Sequence, residues 1–156
     1  MTEVSPATQV PGPGDWRVAV WRSFLHAHAV VLRELAHELE RDADLPLSWY
    51  DVLLTLARAP GRRLRMAELA DRILLSRSGL TRLVDRIEKA GYVRRQPSPD
   101  DARGTYTVLL PEGLRRLRTA APTHLAGVQR HWLSHFDDDE LHTLGALLQR
   151  IGAGAE

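Results

Sequence analysis

Apolar and polar positions recur with a helical period through most of this chain, and the sharpest division lies between Ser76 and Ala90. At about 100° per residue, Leu80, Leu83, Val84, Ile87 and Ala90 fall on one stripe. Arg77, Ser78, Thr81, Arg82, Asp85, Arg86 and Lys89 cover the opposite side. A helix packed on that stripe turns hydroxyls and guanidiniums outward, groups that bond base edges and phosphates. Just upstream, a short helix from about Ala67 to Ile73 has Leu69, Ala70 and Ile73 facing inward. Leu74-Leu75 then supplies the turn and Ser76 the N-cap. Two short helices across a tight turn, the second amphipathic and basic, point to recognition of double-stranded DNA.

The flanking pattern predicts the rest of the architecture. A long helix runs from near Asp15 to Arg41, with Val18, Trp21, Phe24, Leu25, Val31, Leu32, Leu35 and Leu39 at helical spacing. Asp42 to Pro46 breaks it, Ser48 is the candidate N-cap of a helix through Arg58, and Pro60-Gly61 ends that helix. Gly91 stops the basic helix. Tyr92–Pro97 and Thr105–Leu110 then read as a hairpin, with Tyr106, Val108 and Leu110 on one face and Thr105 and Thr107 on the other. A fifth helix begins at Pro111-Glu112 and runs to about His135, with Pro122 inside it. The last helix opens on Asp137-Asp138-Asp139-Glu140, where Asp137 and Glu140 stand at capping-box spacing. Leu141, Leu144, Leu148 and Ile151 form its buried stripe.

The predicted fold is mainly α with a small β-hairpin wing. Residues 1–14, rich in Pro and Gly, form a flexible tail; 46–110 form a winged helix-turn-helix; 15–45 and 111–152 form a helical dimerisation region. Both terminal helical regions have more apolar surface than a small winged-helix core needs. A two-fold dimer built on them would present two basic helices to successive major grooves, about 34–36 Å apart.

Composition adds exclusions. The 156 residues include no cysteine, which rules out disulfides, thiolate catalysis and cysteine-based zinc sites. No apolar run approaches the roughly 18 residues of a membrane span, and no signal-peptide pattern is visible, so a cytoplasmic location is expected. Net charge is only +1, but residues 58–95 hold eleven Arg or Lys against four Asp or Glu. That basic middle coincides with the helix pair; its bland alternative is a solvated charged face. No nucleophile motif, phosphate-binding glycine loop or HExxH is present, so neither an enzyme nor a cofactor is expected. His131 and His135 stand four apart, but a metal site would need two further ligands, and an exposed or interface pair is the better reading.

The order of elements and several stretches resemble the MarR family of bacterial transcription regulators. Carrying the resemblance are Leu69-Ala70, the run from Leu75 to Arg95, and the wing motif Asp101-Ala102-Arg103-Gly104. It spans about Trp21 to Ile151 and implies a homodimeric, winged helix-turn-helix regulator that represses until a small ligand weakens DNA binding. By the same resemblance, Ser76, Arg77, Ser78, Thr81 and Arg82 lie at the major groove, and Arg86 and Lys89 nearer phosphate. Arg103 enters the adjacent minor groove and Asp101 fixes the wing by pairing with an arginine. Arg94 and Arg95 are weaker candidates at the wing's base, Arg95 being as readily a solvated strand charge. Two departures stand out: Ala102 replaces a second basic residue at the wing, and Leu110 replaces a threonine cap.

Trp49-Tyr50-Asp51 and Pro122-Thr123-His124-Leu125 are similar to the urate-responsive members. That similarity makes Trp21, Trp49 and Asp51 candidates for binding a small aromatic or anionic effector; the alternative is that both tryptophans are core. Two other readings stay open for the whole chain: a winged-helix protein-interaction module, and an architectural DNA binder without operator choice.

Overall fold

A computed structural model of the chain describes residues 10–73, 77–97 and 104–152. Among the described residues, six helices and three short strands follow in order: α1 (Trp16–Ala43), α2 (Leu47–Arg58), β1 (Arg63–Arg65), α3 (Met66–Arg72), α4 (Arg77–Lys89), β2 (Val93–Pro97), β3 (Thr105–Leu109), α5 (Pro111–His131) and α6 (Asp138–Gly152). Single 3-10 turns at Pro60–Arg62 and Leu133–His135 lie between them. No helix among the described residues is long and apolar enough to cross a membrane.

Helix ends follow local chemistry. Asp15 caps α1 by accepting the Arg17 N–H at 2.9 Å. Bonds from Arg17 hold the Asp15 carboxyl down at about 2. Asp44 closes α1 in the left-handed region (φ 49°), and Arg116 of α5 donates to the Ala43 and Asp44 carbonyls at 2.6 Å. Gly91 ends α4 at φ 76°, a conformation that costs a Cβ-free residue nothing. There the Gly91 N–H bonds Glu88 O and the Tyr92 N–H bonds Ile87 O. The acidic start of α6 is a reciprocal box, the Asp137 N–H to Glu140 Oε2 at 2.9 Å and the Glu140 N–H to Asp137 Oδ1 at 2.8 Å.

The core lies where α2, α3, α4 and the sheet meet the start of α5. Leu53, Leu56, Leu69, Leu80, Val84 and Ile87 are all fully buried there. Each such side chain contributes about 1.5–3 kcal/mol relative to exposure, as an upper figure. α5 runs along α1 and ties the helical arm to this lobe. Glu38 of α1 accepts from Arg130 at 2.6 Å and contacts His131 Nε2 at 2.9 Å. Gly127 lets the helices approach, since a Cβ there would stand 2.7 Å from Leu35 Cδ2 and 2.9 Å from Glu38 Oε2.

Several expectations are corrected. Pro46, not Ser48, precedes α2, and no side chain caps that end. The fixed φ of proline supplies the extended entry, which leaves Ser48 in the first turn. Strand β1 has no counterpart among the predicted elements; it pairs antiparallel with β3, giving the sheet order β1-β3-β2. In β3 the two faces divide as the alternation has them, and the core side is the one with Thr107 and Leu109, where the fully buried Thr107 hydroxyl donates to Met66 Sδ at 3.0 Å. α5 ends at His131, so His131 and His135 do not share a helix. Ala90 lies beyond α4 and is exposed. Finally, the α6 stripe is only partly covered by the described residues: Leu141 and Leu144 are half-buried, but Leu148 and Ile151 are exposed, as are Trp21, Phe24, Leu25 and Leu32 of α1.

Candidate nucleic-acid interface

The basic helix is held by its apolar side. Leu80, Leu83, Val84 and Ile87 are buried, whereas Ser78, Thr81, Arg82, Arg86 and Lys89 are exposed on the opposite flank. Five of the polar side chains assigned to α4 therefore share one accessible surface, with hydroxyls toward the N-terminal end and cations toward the C-terminal end. Arg77 begins the helix, and its side chain lies outside the description. Ser76, Asp101 and Arg103 also fall outside the described residues. Arg94 is exposed on β2, on the face of the sheet opposite the one from which Arg95 grips α4.

One residue has a role that charge patterning could not reveal. Arg95, half-buried on β2, forms ion pairs with Asp85 (2.7 Å) and Glu88 (2.7 Å) of α4. Its Nη2 also donates to the Thr81 carbonyl at 3.3 Å, and its backbone N–H donates to Glu88 Oε1 at 2.6 Å. It is a strut between wing and helix rather than a solvated charge. Two acids interrupt the basic flank of α4 because they anchor it. The only signal in the sequence is the Asp85–Glu88 spacing, one turn apart on the same helix.

Among the ligand candidates, Trp49 and Asp51 both lie on α2. Trp49 meets the ring of Tyr92 edge-on at 5.9 Å, and thus touches the segment joining α4 to the wing. Asp51 keeps an exposed surface, yet desolvation by the surrounding protein raises its pKa above the ordinary carboxylate value. Trp21 is elsewhere: it is exposed on α1, stacked on Phe24 at 5.8 Å. With a rise of about 1.5 Å per residue, it lies on the order of 30 Å from the α1–α2 corner. Residues not singled out are more tightly placed. His124 of α5 stacks on buried Tyr50 at 4.4 Å, its Nδ1 is buried without a partner, and burial lowers its pKa. Among the described residues, no three His, Cys, Asp or Glu side chains are grouped to hold a metal ion.

This arrangement has close counterparts. Sco3205 of Streptomyces coelicolor, a MarR family transcriptional regulator solved in complex with DNA, shares 34% sequence identity. It superposes with a TM-score of 0.86 over 96% of this chain and 93% of its own. The chain belongs to the MarR family. A family profile of that description matches residues 43–104, from the α1–α2 corner to the wing. AbsC, a MarR family regulator also from S. coelicolor, is 30% identical with a TM-score of 0.84, over 93% of this chain and 97% of its own. The HTH-type transcriptional regulator PecS of Dickeya dadantii is 33% identical over 104 residues, 65% of this chain and 61% of PecS. The chain thus spans about three fifths of that curated relative and nearly all of the two solved ones. Members of the family are transcriptional regulators and not enzymes.

Proposed function

We propose that this MarR-family chain is a homodimeric repressor that binds an inverted-repeat operator through α4 and releases it when a small aromatic or anionic ligand binds. The observation that carries the reading is the exposed run Ser78, Thr81, Arg82, Arg86 and Lys89 on a helix whose other face is core. Hydroxyl and guanidinium groups at the leading end suit base edges, and the cations behind them suit phosphate. Ser76, Arg77, Arg94, Asp101 and Arg103 complete the proposed interface. Sco3205, solved in complex with DNA, supports duplex DNA as the partner.

Pairing of two chains is supported by the apolar surface left uncovered on α1 and α6. A groove of about 380 Å³ is lined by Phe24, Val31, Leu32, Trp132, Phe136 and Leu144. Exposed Trp16, Val20, Trp21 and Ile151 extend its apolar character. Contiguous surface of this kind marks an interface rather than a solvated face. In such a dimer, Trp21 could meet Trp49 and Asp51 only across the two-fold, since within one chain they are separated.

Selection of bound fragments from genomic DNA, followed by titration, tests the proposal. A repressor of this kind binds the selected site roughly 10³-fold or more tighter than random duplex, with affinity falling steeply as salt rises. Arg82→Ala is expected to cost about 1–3 kcal/mol at the selected site and to relax base preference. Equal losses on selected and random duplex would contradict base reading by Arg82, and no duplex binding at all would leave a protein-interaction module.

A further inference from the structure

The three-stranded sheet has two faces of opposite character. Leu64, Thr107, Val93 and Leu109 point into the core, and Arg95 on the same side grips α4. The register puts Arg63, Val108 and Arg94 in one row of the other face, and Arg65, Tyr106 and Gln96 in the next. Three of these six residues are arginines and none is an acid. The guanidiniums of Arg63 and Arg65 stand 4.8 Å and 5.6 Å from the Tyr106 ring centroid, which orders them as a platform. At the foot of this face, a shallow basin is lined by Arg62, Arg115 and Arg118 together with Leu110 and Pro111. Glu112, paired with Arg115, is the one acid lining that basin. A stripe of arginines thus runs from the wing to the start of α5 on the side of the sheet away from α4, with Arg65 at its edge, where it also lines the groove beside Thr81 and Asp85.

The geometry points to this stripe as a second DNA surface, one that takes the phosphate backbone of duplex flanking the operator half-site. The inference rests on the proposed α4–operator reading. With α4 in a major groove and the wing reaching the adjacent minor groove, α4 occupies one side of the wing. Duplex continuing past the wing lies on its other side, which is the arginine face. Guanidiniums held in fixed positions suit phosphate oxygens and carry no base preference. The surface would add affinity and footprint length, not sequence choice.

The test compares two duplexes carrying the same selected site, a core of about 20 bp and the same core with about 15 bp of arbitrary sequence on each side. The wild-type chain is expected to bind the longer duplex at least roughly tenfold tighter at low salt. Combining Arg63→Gln with Arg118→Gln should remove most of that margin and leave core binding within about twofold. Because each chain then neutralises two fewer phosphates, the salt slope on the long duplex should fall by roughly 3–4 for the dimer. The corresponding Arg→Lys pair, which keeps the charges, should restore most of the margin. No length margin in the wild type, or a margin unchanged in the Gln pair, overturns the inference and assigns the face to something other than DNA. A wild-type chain that gains from flanks but fails to distinguish the core from a scrambled core would contradict the operator reading while supporting the stripe.

Discussion

Replacing Arg95 by methionine tests how α4 is positioned. Methionine keeps the aliphatic stem packed and deletes only the guanidinium. Both ion pairs that it breaks are 2.7 Å long, and the three side chains are 28% (Arg95), 47% (Asp85) and 33% (Glu88) exposed. Fully exposed pairs contribute about 0.2–1 kcal/mol each, and bonds to well-shielded charged groups about 1.5–3. Partial shielding places the total at about 1–3 kcal/mol. A further few tenths come from Asp85 and Glu88, left as like charges one turn apart. Urea unfolding should therefore show a loss in that range, shrinking as salt screens the pairs. A double-mutant cycle with Glu88→Gln isolates the strut, because the glutamine carbonyl can still accept the Arg95 N–H. The expected coupling is about 1 kcal/mol. Affinity for the selected duplex should fall roughly tenfold, about 1.4 kcal/mol, with a smaller loss on random duplex, because a tilted α4 misplaces base contacts first. A coupling below about 0.3 kcal/mol, with DNA affinity unchanged, would refute the strut.

Two further outcomes follow from the helical arm. Gly127→Ala gains about 1 kcal/mol of helix propensity but forces a methyl into Leu35 and Glu38, so a net loss of about 1 kcal/mol is expected by thermal unfolding, and a higher Tm would contradict the close crossing. Because burial depresses the His124 pKa below its ordinary 6.5, the unfolded chain binds this proton more readily than the folded one. Its contribution is present in full above about pH 6.5 and is lost as pH falls through the depressed folded pKa. The urea midpoint should thus drop between pH 7.5 and 5.5 and drop less in His124→Phe; an identical pH dependence in the variant would count against it.

Most helices are legible in the sequence because their signals are local. Asp15, Pro60-Gly61, Gly91 and the Asp137–Glu140 box each mark an end through its own backbone bonds. The stripe of α4 is legible because its residues 80, 83, 84 and 87 meet a core supplied by the same lobe. Periodicity says nothing, however, about whether a stripe is covered within one chain: the same pattern in α1 and α6 leaves Trp21, Phe24 and Ile151 open. β1 is hidden because Arg-Leu-Arg is three residues long, two of them charged, and is a strand only through its pairing with β3. The alternation of β3 is legible, but which face is core is not, since hydropathy favours Tyr106 and Val108 whereas a sulfur acceptor lets Thr107 sit inside. Arg95 and His124 draw their roles from partners seven and 74 residues away, contacts that no local pattern encodes.

The most direct test of the account is the mass of the complex formed with the selected duplex, measured by sedimentation or native mass spectrometry across a titration. Two chains per duplex, saturating at a site preferred over scrambled sequence, is the predicted result. A single chain per duplex, or equal affinity for the scrambled sequence, would contradict the two-subunit presentation of α4.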